Sequence, residues 1–298
     1  MRASLETPYI SVIIPTLHRE EPLCRVLKYF LEAEAYSPFE VIVVDQSDRH
    51  EPATLEYLAS ISTRIRLVHI ERKGAANARN CGARIARGSL LLFVDDDDLP
   101  RPEFIRGHVE AHQDPLIAAV CGAMLHAGSQ LRARAELSPE ELTSIQLRDG
   151  PRDVDYSFEC SWGSTCNLSV KAEWFWKVGG FYSNENAGVA SGGLHDALFG
   201  QSLTQHGGRI LYSPEPVVVR GRAQTGGCRD VPESAHRRIL EIENALNFWM
   251  RVRKSRLHAI PITFRRFVVR RSVSQTARNL WFFVNALARW VRTSRLKR

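Results

Sequence analysis

No run in the 298 residues approaches the roughly 20 consecutive apolar residues that a membrane-spanning helix requires. A chain that crosses a bilayer is therefore not expected. The opening MRASLETPYISVII lacks the apolar core and cleavage site of a secretory signal. The six cysteines (Cys24, Cys81, Cys121, Cys160, Cys166 and Cys228) form no C-x-x-C pair, and no histidine spacing suits zinc. Scattered through a chain long enough to build its own core, they read as buried thiols in a reducing cytosol rather than as a disulfide framework. There is no internal repeat, and 44% hydrophobic with 24% charged residues excludes collagen-like and wholly disordered chains.

Acid is scarce at one end only. From His236 to Arg298 the acids are Glu241 and Glu243, against 16 Lys+Arg. The net charge of +7 thus divides into +14 for this tail and −7 for residues 1–235. An acidic body with a basic tail suggests a polyanionic partner, a membrane surface or a nucleic acid. A solvated helical face is the plainer alternative.

The first hundred residues alternate between two patterns. Tyr9–Ile14, Phe39–Val44, Ile65–Ile70 and Ser89–Val94 are short apolar runs that predict strands buried on both faces. Helical stretches lie between them at about His18–Ala35, Glu51–Ser60 and Ala75–Arg87. Strand–helix alternation is the signature of a doubly wound parallel sheet, whose ligands gather beyond the carboxyl ends of the strands. Three of the four strands end there in polar signals: PTLHR, DQSD and DDDD.

Beyond Pro102 the pattern loosens. A helix near Glu103–His112 and a strand at Ile117–Met124 precede a polar, irregular stretch, 128–160, that reads as a loop or lid with one short helix at Pro139–Gln146. A short helix at Glu173–Val178, a Gly-rich stretch and a helix at about Leu194–His206 follow. Ile210–Tyr212 and Val217–Val219 read as two brief strands separated by Pro214 and Pro216. The tail predicts two helices, roughly Pro232–Arg256 and Pro261–Val291. The second interleaves Phe264, Leu280, Trp281, Val284, Leu287 and Val291 with arginines. Two readings of it stand: a helix lying in a bilayer interface, or one whose apolar stripe packs onto the protein.

The sharpest feature is Asp95-Asp96-Asp97-Asp98 after the apolar strand. Adjacent carboxylates repel, so a strand-end cluster calls for a counter-charge. A divalent cation with phosphate oxygens supplies one, since Mg²⁺ and Mn²⁺ take hard oxygen ligands. A solvated acidic turn is the alternative.

The run VDDDDLPRP, preceded by KGAANARNCGARIARG, SVIIPTLHR and VIVVDQSD, resembles the family 2 glycosyltransferases of GT-A fold. The resemblance extends from about Tyr9 to Arg222, with the motifs in the family's order. It implies an α/β fold: a doubly wound, mostly parallel sheet flanked by helices, with a C-terminal helical extension. Residues 1–230 would form the catalytic domain, divided into a nucleotide-sugar half (1–102) and an acceptor half (103–230). Residues 231–298 would be the basic amphipathic extension.

Residue by residue, the resemblance implies that Pro15, Thr16, Arg19 and Asp45 grip the nucleotide. Asp45 as a strand-end cap stays open. Arg79 and Asn80 match the family's Arg-Asn pair; Arg79 would meet the diphosphate or else form a surface salt bridge. The D-x-D positions map to Asp95 and Asp97, with Asp97 the direct metal ligand, Asp96 at the ribose and Asp98 capping the following turn. Gly179-Gly180-Phe181 and then Gly192-Gly193-Leu194-His195-Asp196 place Asp196 at the position of the base. His195 stands where relatives carry Glu, and Arg220 where they often carry a metal-binding His. A guanidinium cannot ligate a metal, but it can steady a leaving diphosphate. Asn167 matches an acceptor-side Asn, a buried turn amide being the alternative. Trp162, Trp174 and Trp176 are candidates for stacking on a sugar or for the core.

The implied reaction is a single inverting displacement using Mn²⁺ or Mg²⁺, moving a sugar from a nucleoside diphosphate to a glycan or lipid-linked acceptor. The expected location is the cytoplasm or the inner face of the plasma membrane. Nucleic acid is not expected as a partner, because four aspartates at the sheet edge would repel phosphate. A nucleotidyltransferase would also use metal-bound carboxylates, but PTLHR holds none of the glycines its phosphate loop needs. A degenerate nucleotide-sugar or polyanion binder is the remaining alternative.

Overall fold

The four apolar runs of the first hundred residues form β1 (Ile10–Thr16), β2 (Phe39–Asp45), β3 (Arg66–His69) and β4 (Leu90–Val94) of one sheet. The computed structural model describes residues 9–146, 153–182, 195–221, 223, 226, 239, 242–243, 245–246, 260 and 273–295. The four strands run parallel in the order β3-β2-β1-β4, with Ile10 opposite both Phe39 and Leu90. Every residue of β1 and β4 is buried, as strands covered on both faces must be.

Alternation along each strand divides the core in two. Val12 and Ile14 join Leu23, Val26 and Leu27 of α1 (Glu21–Lys28) and Leu58 of α2 (Pro52–Ser60) on one face. Ile13, Ile42 and Val44 join Ala76, Ala78 and Ala83 of α3 (Ala75–Ile85) on the other. The small residues of α3 allow close approach: a Cβ on Gly82 would lie 2.5 Å from Ile13 Cγ2.

The remaining elements are β5 (Asp98–Pro100), α4 (Phe104–Ala111), β6 (Ile117–His126), α5 (Pro139–Gln146), β7 (Phe158–Cys160), β8 (Asn167–Lys171), α6 (Ala172–Lys177), α7 (His195–Gln205) and β9 (Arg209–Arg220). The sheet continues past β4 as β8-β6-β9-β5, with β7 also on β9. Here parallel and antiparallel pairs mix: β8 is antiparallel to β4 and β6, while β6 and β9 are parallel. This is the flanked, mostly parallel α/β sheet expected.

Four local expectations are corrected. β3, expected to be buried on both faces, is the edge strand of the sheet and leaves Leu67 and His69 exposed. The two brief strands of residues 210–219 are one strand, β9. Its register against β6 jumps from Ser213 to Val217, so Pro214 and Pro216 sit in the bulge, where no ladder donor is needed. The first helix begins at Glu21, because His18 takes a left-handed φ of 53°. The stretch 128–160 holds a strand, β7, antiparallel to β9, as well as the expected helix.

By internal contacts the chain divides into two units, Met1–Tyr182 with Asp196–Gly227, and Ser183–His195 with Cys228–Arg298. In the second, α8 (Val273–Arg295) is the long described helix. The Gly-rich segment 183–194, Cys228, most of the helix expected at 232–256, and residues 261–272 of the helix expected at 261–291 lie outside the described residues.

Under the sheet, α4 is fastened to β8 by a buried polar chain. His108 Nε2 donates to Asn167 Oδ1 (2.8 Å), Ser169 Oγ donates to His108 Nδ1 (2.9 Å), and His112 Nε2 donates to Ser169 Oγ (2.9 Å). This directionality requires His108 to be neutral, since its Nδ1 accepts. His112 only donates, and burial is what favours its neutral form, pushing both imidazoles down to about 3. The unfolded chain binds protons at these sites below about pH 6.5 while the folded chain does not, so stability falls as pH drops from there towards 3. Each histidine contributes about 1.4 kcal/mol per pH unit to that slope. Urea titrations of His112→Gln between pH 6 and 4 should show a slope smaller by about that amount. An unchanged slope would mean that His112 is charged in the folded protein.

Candidate active site

The carboxyl ends of β1, β2 and β4 bring Thr16, Asp45 and the acidic run to one edge, and the run meets arginine along its length. Arg79 on α3 bonds Asp95 (Nη2–Oδ1, 2.5 Å). Arg19, in the loop after β1, lies 3.5 Å from Asp96 and 3.4 Å from Asp97. Arg220, ending β9, lies 3.8 Å from Asp98. Arg19 and Arg79 are buried, whereas 43% of the Arg220 side chain is exposed.

Each aspartate has its own setting. Asp96 accepts from Thr16 Oγ1 (2.7 Å); burial pushes its carboxyl up to about 7, against the pull of Thr16 and Arg19. Asp97 accepts from the Ala223 backbone N–H (3.2 Å). The chain crosses so closely here that a Cβ on Gly221 would stand 1.9 Å from the Asp97 carbonyl oxygen. Asp98 does not cap a turn. It opens β5, opposite Arg220, and burial raises its pKa. Ligand atoms of Asp95, Asp98 and Cys166 lie within 4.8 Å of one another. Burial pushes the Cys166 thiol well up, so it stays protonated.

Asp45 ends β2 in the strand-end cap that the sequence left open. Its Oδ1 accepts from the Ser47 N–H (2.8 Å). Its Oδ2 lies 3.1 Å from His50 Nε2, and the other ring nitrogen of His50 lies 3.2 Å from Glu20 Oε1. His50 therefore ties the loop after β1 to Asp45 at the end of β2. Gln46 ties a third loop: its Nε2 donates to the Thr16 carbonyl (3.2 Å), and its Oε1 accepts from the Gly74 N–H (2.6 Å). Neither residue was singled out from the sequence. A lone His and a lone Gln carry no signal until the loops are brought together.

Two expected site residues belong to the core. Asn80 forms paired bonds with Phe181, donating to its carbonyl (2.7 Å) and accepting from its N–H (2.9 Å), and so locks α3 to the Gly179-Gly180-Phe181 turn. Asn167 is wholly buried. Its amide donates to the Ala123 and Pro216 carbonyls (2.8 and 2.9 Å) and accepts from His108, so it is the buried amide and not an acceptor contact. Of the tryptophans, Trp174 carries Lys177 Nζ 3.9 Å from its ring centre, and Trp176 is exposed. Pro15 is buried in β1.

Asp196, in the first turn of α7, reaches the same edge through one dipeptide. Thr165 donates its hydroxyl to Asp196 Oδ1 (3.0 Å) and its N–H to Oδ2 (3.4 Å). The next residue is Cys166, packed against Asp95 and Asp98. Successive Cα atoms stand about 3.8 Å apart, so Thr165 and Cys166 fix Asp196 beside the acidic run. His195 precedes it as the first residue of α7.

Comparison with known proteins gives a consistent picture. The family model for "Glycosyl transferase family 2" matches residues 11–171. Validoxylamine A glucosyltransferase of Streptomyces hygroscopicus subsp. limoneus is 29% identical over 239 residues, covering 72% of this chain and 51% of the relative. The chain thus spans about half the length of that relative. Glucosyl-dolichyl phosphate glucuronosyltransferase of Haloferax volcanii is 25% identical over 215 residues, 70% of this chain and 68% of the relative. Among solved structures, the mannosyltransferase PcManGT of Pyrobaculum calidifontis, in complex with GDP-Man and Mn²⁺, superposes with a TM-score of 0.58 at 19% identity, covering 95% of this chain and 74% of that one.

Proposed function

The chain belongs to glycosyl transferase family 2, and from that premise we propose that it moves a sugar from a nucleoside diphosphate to a hydroxyl of a glycan or lipid-linked acceptor, with inversion. One observation carries this reading: the acidic run, three arginines and Asp196 converge at a single sheet edge. The GDP-Man and Mn²⁺ held by the structurally similar mannosyltransferase support the donor class.

The residues suit a divalent cation. Four carboxylates meet three guanidinium groups, and Asp98 Oδ2 is buried without a hydrogen bond. A donor diphosphate adds negative charge that the arginines do not balance. Carboxylate oxygens of Asp95 and Asp97 are the hard ligands for Mn²⁺ or Mg²⁺, whereas the Cys166 sulfur is a soft donor that these ions do not favour. When bound, such an ion neutralises charge growing on the departing diphosphate.

The chain's own groups do the rest. Asp45, steadied by His50, and Thr16 face the nucleoside. Asp96, placed by Thr16 and Arg19, lies on the ribose side. Arg79 and Arg19 hold the acidic run in place, and the half-exposed Arg220 guanidinium steadies the diphosphate. Asp196 accepts the proton of the acceptor hydroxyl as that oxygen bonds to the anomeric carbon. The bond from that carbon to the diphosphate breaks, and its electron pair leaves with the diphosphate. With Asp196 as the base, and no second carboxylate assigned as a nucleophile among the described residues, a single displacement inverts the anomeric centre.

The test is a panel of UDP-, GDP- and dTDP-sugars, with Mn²⁺ or Mg²⁺ and with or without lipid acceptors, read by diphosphate release. Release from one donor class that depends on the added metal is expected. Silence across the panel would overturn the proposal.

A further inference from the structure

α8 has two apolar sides, and one of them is covered. Phe283 and Ala286 are buried, with Leu287 and Val291 partly so, in a cluster with Ile239, Ile242, Leu246 and Ile260. The other side stands open: Leu280 is 43% exposed, Trp281 55% and Val284 54%. Leu280, Val284 and the exposed Ala288 are spaced four apart, so they lie above one another on one face with Trp281 alongside. The apolar surface of α8 is therefore wider than its packing uses.

Charge selects what would cover this face. α8 carries Arg278, Arg289, Arg292 and Arg295 and no Asp or Glu. The segment from His236 onwards has a net charge of +14. Of its two acids, Glu243 is paired with Arg289 at 3.0 Å. A second copy meeting this face would bring +14 against +14. An anionic bilayer offers an apolar layer for Leu280 and Val284, a headgroup zone suited to Trp281, and charge of the opposite sign. Among the described residues, no helix is long and apolar enough to cross a membrane, so α8 would lie in the interface plane.

We propose that the Leu280–Trp281–Val284 face of α8 is a docking surface for an anionic lipid bilayer. This reading is independent of sugar transfer, although it would place the catalytic unit where lipid-linked acceptors reside.

The experiment is sedimentation of the full chain with vesicles of phosphatidylcholine alone, or of phosphatidylcholine with about one-third phosphatidylglycerol. The anionic vesicles are expected to bind at least tenfold better, with binding weakened by salt. The double variant Trp281→Glu/Val284→Glu should lose at least tenfold of that binding, while circular dichroism and diphosphate release in solution stay unchanged. Trp281→Phe should retain binding. Equal binding to both vesicle types, or an unaffected double variant, would overturn the proposal. So would a concentration-dependent dimer that the double variant dissociates, since the face would then belong to a second copy. Vesicle binding needs no turnover, so its failure would leave the sugar-transfer reading untouched, and the reverse also holds.

Discussion

Asp97→Ala is expected to lower donor turnover by on the order of 10³-fold and to remove its dependence on added Mn²⁺ or Mg²⁺. A bound cation contributes several kcal/mol of charge stabilisation in the transition state, and each 1.4 kcal/mol is about tenfold in rate. The fold should survive. The close packing at Gly221 involves the Asp97 backbone oxygen rather than its carboxylate, and Arg19 keeps Asp96 as a partner. Asp98→Asn is the informative companion. Asp95 lies between two candidate pairings, with Asp97 as the D-x-D pair and with Asp98 in the buried cluster. If the metal sits on Asp95 and Asp97, Asp98→Asn should stay within about tenfold of the parent rate. Diphosphate release against metal concentration, with calorimetric Mn²⁺ binding, reads both variants. Parent-like turnover and metal dependence in Asp97→Ala would remove Asp97 from the metal site.

In the parallel half of the sheet, β1, β2 and β4 were legible because burial leaves nearly unbroken apolar runs that end in polar residues at the carboxyl edge. β3, at the edge of the sheet, leaves Leu67 and His69 exposed and carries no such polar signal. What was not legible depended on partners far away in the chain. Asn80 meets Phe181, 101 residues distant, and Asn167 meets His108 and Pro216; no local pattern separates such an amide from one that faces a ligand. Pro214 and Pro216 read as a strand break because their missing N–H groups forbid ladder pairing. They end no strand here, because the bulge opposite Gly122 and Ala123 leaves them outside the ladder. Asp98 was misplaced for a related reason. A three-residue strand is too short to show alternation, and its strand character comes only from Arg220, Val219 and Val218 across the sheet. The arginines show the partial case: Arg19, Arg79 and Arg220 were each singled out, but their distribution along the acidic run exists only in three dimensions.

Asp196→Asn separates chemistry from binding at this edge. The loss of a positioned base should lower kcat by about 10²- to 10⁴-fold. The donor KM should stay near the parent value, because the proposed donor-side contacts lie on Asp45, Thr16 and the acidic run. The substitution preserves shape, and Thr165 Oγ1 can still donate to the amide oxygen as it does to Asp196 Oδ1. A loss of activity therefore reports the missing proton acceptor rather than a displaced α7. Two further measurements keep a structural explanation apart. In the parent, kcat should fall at low pH as the base is protonated, and Asp196→Asn should lose that limb. Thr165→Val removes the hydroxyl that orients the carboxylate but leaves the carboxylate in place, so it should cost far less in rate and keep the limb. Were Asp196→Asn to turn over at the parent rate with the low-pH limb intact, another group would have to take the proton, and the dipeptide link through Thr165 and Cys166 would be scaffolding alone.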